Sequence, residues 1–214
     1  MGHLLGLQEY LDEKYNTSIF NQAMTSGKPW EFYLHDRKTI TATVLENRKW
    51  DTTVSIVGQA KEELQKIQVK FLYPADLNGL IKPLIRIDRK VEALGLKAIL
   101  SPGKRYFVKN KSLFPFMKEK EVMFFTLLEG EIIRGILADF SRYDITVSLK
   151  GGRLVNILRH AIYNIRNKEG RSFLRSFQEE HRDWEKSPLY IAQGPENLAF
   201  WLRTRHRDGG SVAN

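Results

Sequence analysis

The chain has 214 residues, of which 42% are apolar, and carries a formal net charge of +9 with a pI of about 9.6. This length suffices for one large domain or two small ones. The absence of cysteine excludes disulfides and thiolate metal sites and favours a reducing, cytoplasmic location. No signal-peptide pattern and no membrane-length apolar run is present, so we expect no membrane partner.

The positive charge is concentrated in the middle of the chain. Residues 82–120 contain 11 Lys and Arg side chains against 3 acidic ones, whereas the flanking segments are close to neutral. Solvated surfaces usually mix their charges, so this concentration favours a polyanionic partner such as a nucleic acid.

The first part of the chain is predicted to form one helix followed by short strands. Residues 3–15 place apolar side chains at helical spacing. The stretch 16–29 is predicted to be irregular, because Gly27 and Pro29 break helices. Residues 30–74 then alternate apolar and polar side chains in short runs, which is typical of antiparallel strands.

The connecting segment 76–112 is predicted to contain a helix ending at Gly95 and a hairpin that turns at Pro102-Gly103. Basic and aromatic side chains alternate along the second half of this hairpin. This pattern fits a surface for RNA backbone charge and base stacking, and it fits equally a hairpin whose aromatics pack against neighbouring strands. The residues concerned are Arg105, Tyr106, Phe107 and Lys109.

A strand pattern returns over residues 122–166, after a short predicted helix at 112–121. A charged helical tail follows and ends at Pro188, with a last short helix at 196–207 and a disordered end. The run WDTTVSI at 50–56 matches YDITVSL at 143–149, a separation of 93 residues. Towards the last strand the match shortens to 90 residues and pairs Lys70 with His160. Such a repeat indicates two copies of one structural unit.

No motif of a catalytic or cofactor site is present in the sequence. A Gly-rich phosphate loop, a nucleophile elbow and a paired-His metal motif are all missing. The five histidines lack the spacing of metal ligands. We therefore expect a binding protein that is not an enzyme and uses no cofactor.

The second copy resembles the Hfq branch of the Sm-like (LSm) RNA-binding family. The run RHAI at 159–162 is similar to the second motif of that family. The stretch 125–147 is similar to its first motif, with Gly135 at the bend of the second strand and Tyr143 at the aromatic position.

This resemblance implies a mainly β fold with short helices. It implies two tandem Sm-like five-stranded, strongly bent, SH3-like barrels, each preceded by an α-helix. The resemblance covers residues 113–166 directly and residues 5–74 through the repeat. The implied domains are 1–75 and 113–168, both Sm-like, with a basic connector at 76–112 and a helical, partly disordered tail at 169–214.

The resemblance also implies roles for particular residues. Tyr143 would stack on a base with Arg142 beside it, and Arg159 and His160 would contact base and phosphate near a pore. In the first copy Trp50 takes the stacking position. The remaining implied RNA contacts are Lys49, Lys70, Gln8, Lys118 and Lys120.

Each of these positions also has an ordinary structural interpretation. An aromatic residue at a strand junction fits a core position, and a lone histidine fits a buried, hydrogen-bonded one. Lys118 and Lys120 alternate with acidic residues and fit a solvated helix face. The first copy departs from the family, because Lys70 replaces the histidine and Ala42 the bend glycine.

The family forms rings of six units, so two units per chain imply a homotrimer that imitates a hexamer. Unpaired strand edges favour such closure. The implied function is binding of single-stranded, U-rich RNA, as an RNA chaperone or post-transcriptional regulator. Two other classes remain open: a structural or protein-interaction scaffold, and a basic DNA-associated protein.

Overall fold

The computed structural model describes residues 2–192. These residues form 13 strands and six short helices, which confirms the predicted class, mainly β with short helices. No helix within the described range is both long and apolar enough to cross a membrane. Most strands belong to one antiparallel sheet in which two similar groups of strands lie side by side.

The first group of strands, here called the first unit, spans residues 19–74. Its strands alternate apolar and polar side chains, so that Ala42, Val44, Val54 and Ile56 are buried on one face. The elements of this unit are α2 (Ile19–Ser26), β2 (Trp30–Leu34), β3 (Thr39–Asn47), β4 (Asp51–Ile56), β5 (Lys61–Gln65) and β6 (Val69–Pro74).

The second unit spans residues 110–166 and has the same succession of elements. A β-bulge lies at the same place in both units, with Leu45 and Ala138 as the extra residues. At the predicted bend, a Cβ on Gly135 would lie 2.4 Å from the carbonyl oxygen of Ser148, so only glycine fits. The elements are α5 (Asn110–Glu119), β8 (Val122–Leu127), β9 (Glu131–Phe140), β10 (Asp144–Ser148), β11 (Leu154–Leu158) and β12 (Ile162–Arg166).

The two units are joined through strand pairing. Strand β6 pairs with β2 of its own unit on one side and with β11 of the second unit on the other. At this joint Asn156 lies opposite Leu72 and Ile157 opposite Phe71. The strands follow the order β12-β8-β9-β10-β11-β6-β2-β3-β4-β5, and within the described residues this path does not close into a barrel.

The two units match at a constant separation of 93 residues. In both, a three-residue 3-10 turn joins the fourth strand to the last, at Lys66–Gln68 and at Arg159–Ala161. The predicted shortening to 90 residues is therefore wrong, because no residue is lost between these strands. The true counterparts are Lys66 with Arg159, Ile67 with His160, and Lys70 with Tyr163.

The predicted N-terminal helix forms as α1 (Leu7–Lys14), but it packs on the second unit. The ring of Tyr10 lies 4.7 Å from that of Phe140 and 5.6 Å from that of Phe114, measured between centroids. The Tyr10 hydroxyl accepts a hydrogen bond of 2.8 Å from the Phe140 amide. Helix α1 is thus an addition to the second unit rather than the first element of the first unit.

Helix α2 precedes the first unit, so the prediction of an irregular stretch at 16–29 is wrong. Ile19, Phe20 and Ala23 bury one face of this helix against β3. Only these three buried residues mark the inner face of the helix in the sequence, and so short a pattern cannot be told from that of a loop. Gly27 ends the helix in the left-handed region, at φ +61°.

The connector contains short helices and turns but not the predicted hairpin. A single 3-10 turn occupies Pro102–Lys104, and no described residue near it pairs as a strand. Arg105 holds this loop together by donating hydrogen bonds to the carbonyl oxygens of Ile99 and Leu100. The other connector elements include α3 (Asn78–Ile81), β7 (Arg86–Ile87) and α4 (Arg89–Glu92), which ends three residues before the predicted end at Gly95.

The tail folds back over the second unit. Helix α6 (Arg175–His181) forms within the predicted charged helical segment. Strand β13 (Tyr190–Ile191) pairs with β1 (His3–Leu4) in a separate two-stranded sheet. The helix predicted at 196–207 lies outside the described residues.

Candidate functional site

A groove of about 690 Å³ runs along the joint between the two units. The first unit contributes residues 47–51 at the β3–β4 turn and 65–67 at its 3-10 turn. The second unit contributes Tyr143, Leu158 and His160, and the connector closes one side. Because both units and the connector line it, the groove exists only where the two units pair.

Two exposed aromatic side chains stand at this groove on opposite units. Trp50 is 70% exposed and Tyr143 is 53% exposed. Each lies immediately before the third strand of its unit, β4 or β10. Large aromatic faces left open to water lose hydrophobic stabilisation unless a ligand covers them. Each ring has a cation beside it: Lys49 Nζ lies 5.0 Å from the Trp50 centroid, and Arg142 lies 5.7 Å from that of Tyr143.

The backbone holds the two aromatics in matching positions. The amide of Lys66 donates to the Trp50 carbonyl oxygen at 3.0 Å, and the amide of Arg159 donates to the Tyr143 carbonyl oxygen at 2.9 Å. Each hydrogen bond ties the 3-10 turn of a unit to its aromatic residue. The aromatics are therefore fixed by the strand framework rather than carried on free loops.

The groove is positively charged. Four cationic side chains line it, against Asp51 as the single acid among its lining residues. Lys66 is half-buried; burial lowers its pKa, and its ammonium lies 5.1 Å from the Phe20 ring and donates to the Arg48 carbonyl oxygen. The cations are Arg48, Lys49, Lys66 and Arg105.

His160 lines the groove in a neutral state. Its Nε2 lies 2.9 Å from the Val69 carbonyl oxygen, which requires a hydrogen on that nitrogen. Burial lowers the pKa of His160 to about 4; it outweighs the hydrogen bond to Val69, which raises the pKa, and the nearby Arg105 adds a smaller lowering. The other ring nitrogen, Nδ1, then carries no hydrogen, so His160 offers a ligand shape and an acceptor but no positive charge.

Lys70 was expected to contact RNA and does not reach the groove. Its side chain is only 1% exposed and forms ion pairs with Glu129 and Glu131 of the second unit. The expectation came from pairing Lys70 with His160, whereas its counterpart is Tyr163. This part of the site prediction is wrong.

Arg159 also lies away from the groove. Its guanidinium donates to the Asn110 side chain at 3.0 Å and lies 5.5 Å from the Phe140 ring. Burial lowers the pKa of Arg159 to about 10, so the group stays charged at neutral pH. The predicted RNA contact is corrected to an internal one, in which Arg159 joins the turn, α5 and the β9 strand.

The three residues predicted to contact RNA from α1 and the end of α5 are exposed, but none of them lines the groove. Gln8 donates to Asp12 on its own helix at 2.8 Å, and α1 belongs to the second unit. Lys118 lies 5.3 Å from the Phe114 ring, and Lys120 ends α5 in the left-handed region. The structure thus brings together Lys49, Trp50, Tyr143 and His160, and leaves these three elsewhere.

Sequence reasoning missed three of the groove's cations as a group. Lys66 would have been found with the constant separation of 93 residues, because it is the counterpart of Arg159. Arg48 adjoins the predicted Lys49-Trp50 pair, and Arg105 was predicted as a possible RNA contact on a hairpin that does not form. Their convergence depends on the joint between units, which no local pattern reports.

No family model matches this chain, and no match is found among curated proteins or solved structures. Within residues 2–192, no group of three or more His, Cys, Asp or Glu side chains is placed to hold a metal ion. A functional conclusion therefore depends on the groove itself.

Proposed function

We propose that this protein binds single-stranded RNA in the groove between its two units, as an Sm-like protein of the Hfq type. The observation that carries the proposal is the pair of exposed aromatics, Trp50 and Tyr143, which line one groove from different units among four groove cations. Aromatic faces stack on bases of any sequence, and cations neutralise the phosphates between them. Double-stranded nucleic acid keeps its bases stacked on one another and cannot use these rings.

The size and charge of the groove suit a short stretch of RNA. A volume of about 690 Å³ lies within the range of sites that enclose a small organic ligand, so the groove admits one or two nucleotides at a time. The Nδ1 of neutral His160 carries no hydrogen and can accept a hydrogen bond from a base. Binding without a chemical step fits an RNA chaperone or post-transcriptional regulator, and not an enzyme.

The strand arrangement supports a finer proposal for the fold, namely two Sm-like bent barrels in tandem. Each unit begins with a helix and places its last strand beside its first. Three chains would complete a ring of six units if β5 of one copy paired with β12 of the next, as β11 pairs with β6 within the chain.

Fluorescence anisotropy with short labelled U-rich and A-rich RNAs tests the proposal. Trp50→Ala combined with Tyr143→Ala should weaken binding more than tenfold, since each stacked base contributes about 1–3 kcal/mol. Phe107→Ala is the matched control, because Phe107 is 51% exposed and lies outside the groove lining. Affinity should also fall with salt, with a logarithmic slope of about −0.7 per contacted phosphate.

Unchanged affinity in the Trp50/Tyr143 double variant would refute the groove as the RNA site. Equal or tighter binding of single-stranded DNA of the same sequence would favour the DNA-associated alternative instead. A scaffold function has one observation in its favour, the exposed connector residues Leu94 and Leu100, at 55% and 70%. If the protein bound neither the RNAs nor the single-stranded DNA, the scaffold function would be the remaining alternative.

A further inference from the structure

The two units differ in what covers the outer edge of their last strand. In the first unit that edge, at Phe71 and Leu72 of β6, pairs with β11. The counterparts in β12 are Asn164 and Ile165, because each lies opposite the matching residue of its unit's first strand. Within the described residues no further unit follows β12, so the outer edge of this strand is open unless another segment of the chain covers it.

The chain's own residues 167–173, here called the cap, cover this edge. The amide of Phe173 donates to the Ile165 carbonyl oxygen at 2.9 Å, and the Ser172 hydroxyl donates to the Asn164 side chain at 2.9 Å. Arg166 and Ser172 form an antiparallel bridge. The cap therefore covers part of the β12 edge that corresponds to the β6 edge covered by β11.

Buried contacts anchor the cap. The Phe173 ring is 3% exposed and lies 4.3 Å from the Phe116 ring in an edge-on arrangement. Gln178 is fully buried and donates to the Ser172 carbonyl oxygen at 3.1 Å, while Arg171 pairs with Asp183 at 2.6 Å. These anchors come from the tail, so the cap and the tail act as one piece.

The side chains on the two last strands show the same difference between the units. At the joint, Lys70 of the first unit is covered by Glu129 and Glu131 of the second. Its counterpart Tyr163 is covered by Tyr106 of the connector, with 5.0 Å between ring centroids. The surface that would receive a further unit is thus covered at two places: the edge of β12, by the cap, and Tyr163, by Tyr106.

We propose that the cap is an autoinhibitory segment that keeps the chain monomeric, and that its displacement by β5 of a second copy is the step that permits ring assembly. The inference rests on the proposed function, because the ring of three chains proposed there is what forms once the cap is displaced. Strand β5 is the occupant we assign, because it is the counterpart of β11. None of the described residues pairs with its outer edge, and its charged residues, Lys61, Glu62 and Glu63, limit pairing with other strands.

Competition between cap and second copy is decided by concentration. A tethered segment acts at an effective concentration of about millimolar, whereas copies of the chain meet at micromolar concentration. A second copy therefore has to pair about a thousandfold better than the cap to displace it. Weakening the cap removes this advantage and should let copies assemble.

Light scattering on cap variants tests the proposal. The wild type should have the mass of one chain, 24.9 kDa, at micromolar concentration. Phe173→Asp places a charge against Phe116, and Ser172→Pro removes the bond to Asn164; each should raise the mass towards three chains. The second variant serves if the first fails to fold by circular dichroism.

A reversible lock supplies the matched control within one sample. The chain has no cysteine, so Arg166→Cys with Ser172→Cys on the Phe173→Asp background can form only one intramolecular disulfide at a bridged pair. The oxidised protein should be monomeric and the reduced protein assembled. Leu64→Cys with Asn164→Cys on the same background should cross-link copies, because their counterparts Ile157 and Phe71 pair within the chain.

Two outcomes would overturn the cap. The first is that the wild type and the oxidised double-cysteine protein are both oligomeric. The second is that Phe173→Asp and Ser172→Pro fold but stay monomeric at a hundredfold higher concentration. RNA affinity is measured on the same samples, and because the groove lies apart from the cap, it should be unchanged by the lock. Loss of RNA binding in all variants, with the mass changes intact, would refute the proposed function and leave the cap.

Discussion

Glu129 is the residue that joins the two units most directly. Its carboxylate accepts from the His35 ring at 3.1 Å and from the Asp36 amide at 2.7 Å, both on the first unit, and it pairs with Lys70. Burial raises the pKa of Glu129, but the hydrogen bonds from His35 and Lys70 outweigh burial and bring the pKa to about 2. The charged form is therefore strongly favoured in the folded protein.

Replacing Glu129 should weaken the fold in a pH-dependent way. Glu129→Gln should lower the free energy of unfolding by about 3 kcal/mol at pH 7, since it removes one member of a buried ion pair. The folded pKa lies below the unfolded value of about 4.3, so this stabilisation is present above that pH and is lost as the pH falls towards 2. Urea unfolding at pH 7 and pH 3 measures both effects.

The matched control for this prediction is Glu62→Gln, an exposed glutamate on the free edge strand. It should change the unfolding free energy little at either pH. Equal losses in the two variants at pH 7 would contradict the role given to Glu129.

His160 makes a second prediction at the scale of one residue. Because burial holds its pKa near 4, the ring is neutral across physiological pH and adds no charge to the groove. RNA affinity at fixed salt should therefore stay constant between pH 6 and pH 8, where Lys and Arg also keep their charges. Anisotropy titrations across that range measure this.

A loss of RNA affinity centred near pH 6.5 in the wild type, and absent in His160→Asn, would mean that the bound protein uses a protonated His160. That result would move His160 from a shape and acceptor role to a phosphate contact.

At the scale of elements, the bend of β9 depends on Gly135. Its missing side chain lets the Ser148 backbone approach, and a Cβ would lie 2.4 Å from the Ser148 oxygen. Gly135→Ala should therefore destabilise the protein by about 1–3 kcal/mol through overpacking. Gly103→Ala is the control, because a Cβ there meets nothing within 4 Å. Urea unfolding compares the two, and equal stability would refute the close approach.

The strands could be predicted from the sequence because alternation with period two runs through nearly all of them. Val54 and Ile56, for example, are buried with polar neighbours between them. Helix α2 was not predicted because only three of its residues form the buried face. Helix α1 was predicted, but it packs on the second unit instead of the first. The place of α1 depends on Tyr10 meeting Phe140, a contact 130 residues apart that no local pattern contains.

The site was predictable only in part for a related reason. Trp50 and Tyr143 could be found because the repeat preserves their neighbours as well as themselves. Lys70 was paired with the wrong residue because the apolar pattern near the last strand also allows an alignment of the two copies that is shifted by three residues. The charges of the groove converge only through the β6–β11 joint, which is a pairing between distant segments.

At the scale of the whole molecule, one continuous sheet makes the two units a single body. The β6–β11 joint supplies backbone pairing, and the Glu129 cluster supplies charge pairing at the same boundary. A groove built across this boundary keeps its shape as long as the joint holds. The cap and the charged β5 then leave the two ends of the sheet protected.

Covalent linkage of the units also changes how the groove can vary. In an assembly of identical single units, one substitution alters every copy of a site at once. Here the two counterparts at each position are encoded separately, so Ile67 stands where the other unit has His160, and Trp50 where it has Tyr143. Each wall of the groove is free to specialise by itself, and a single gene can carry two unlike half-sites without losing either.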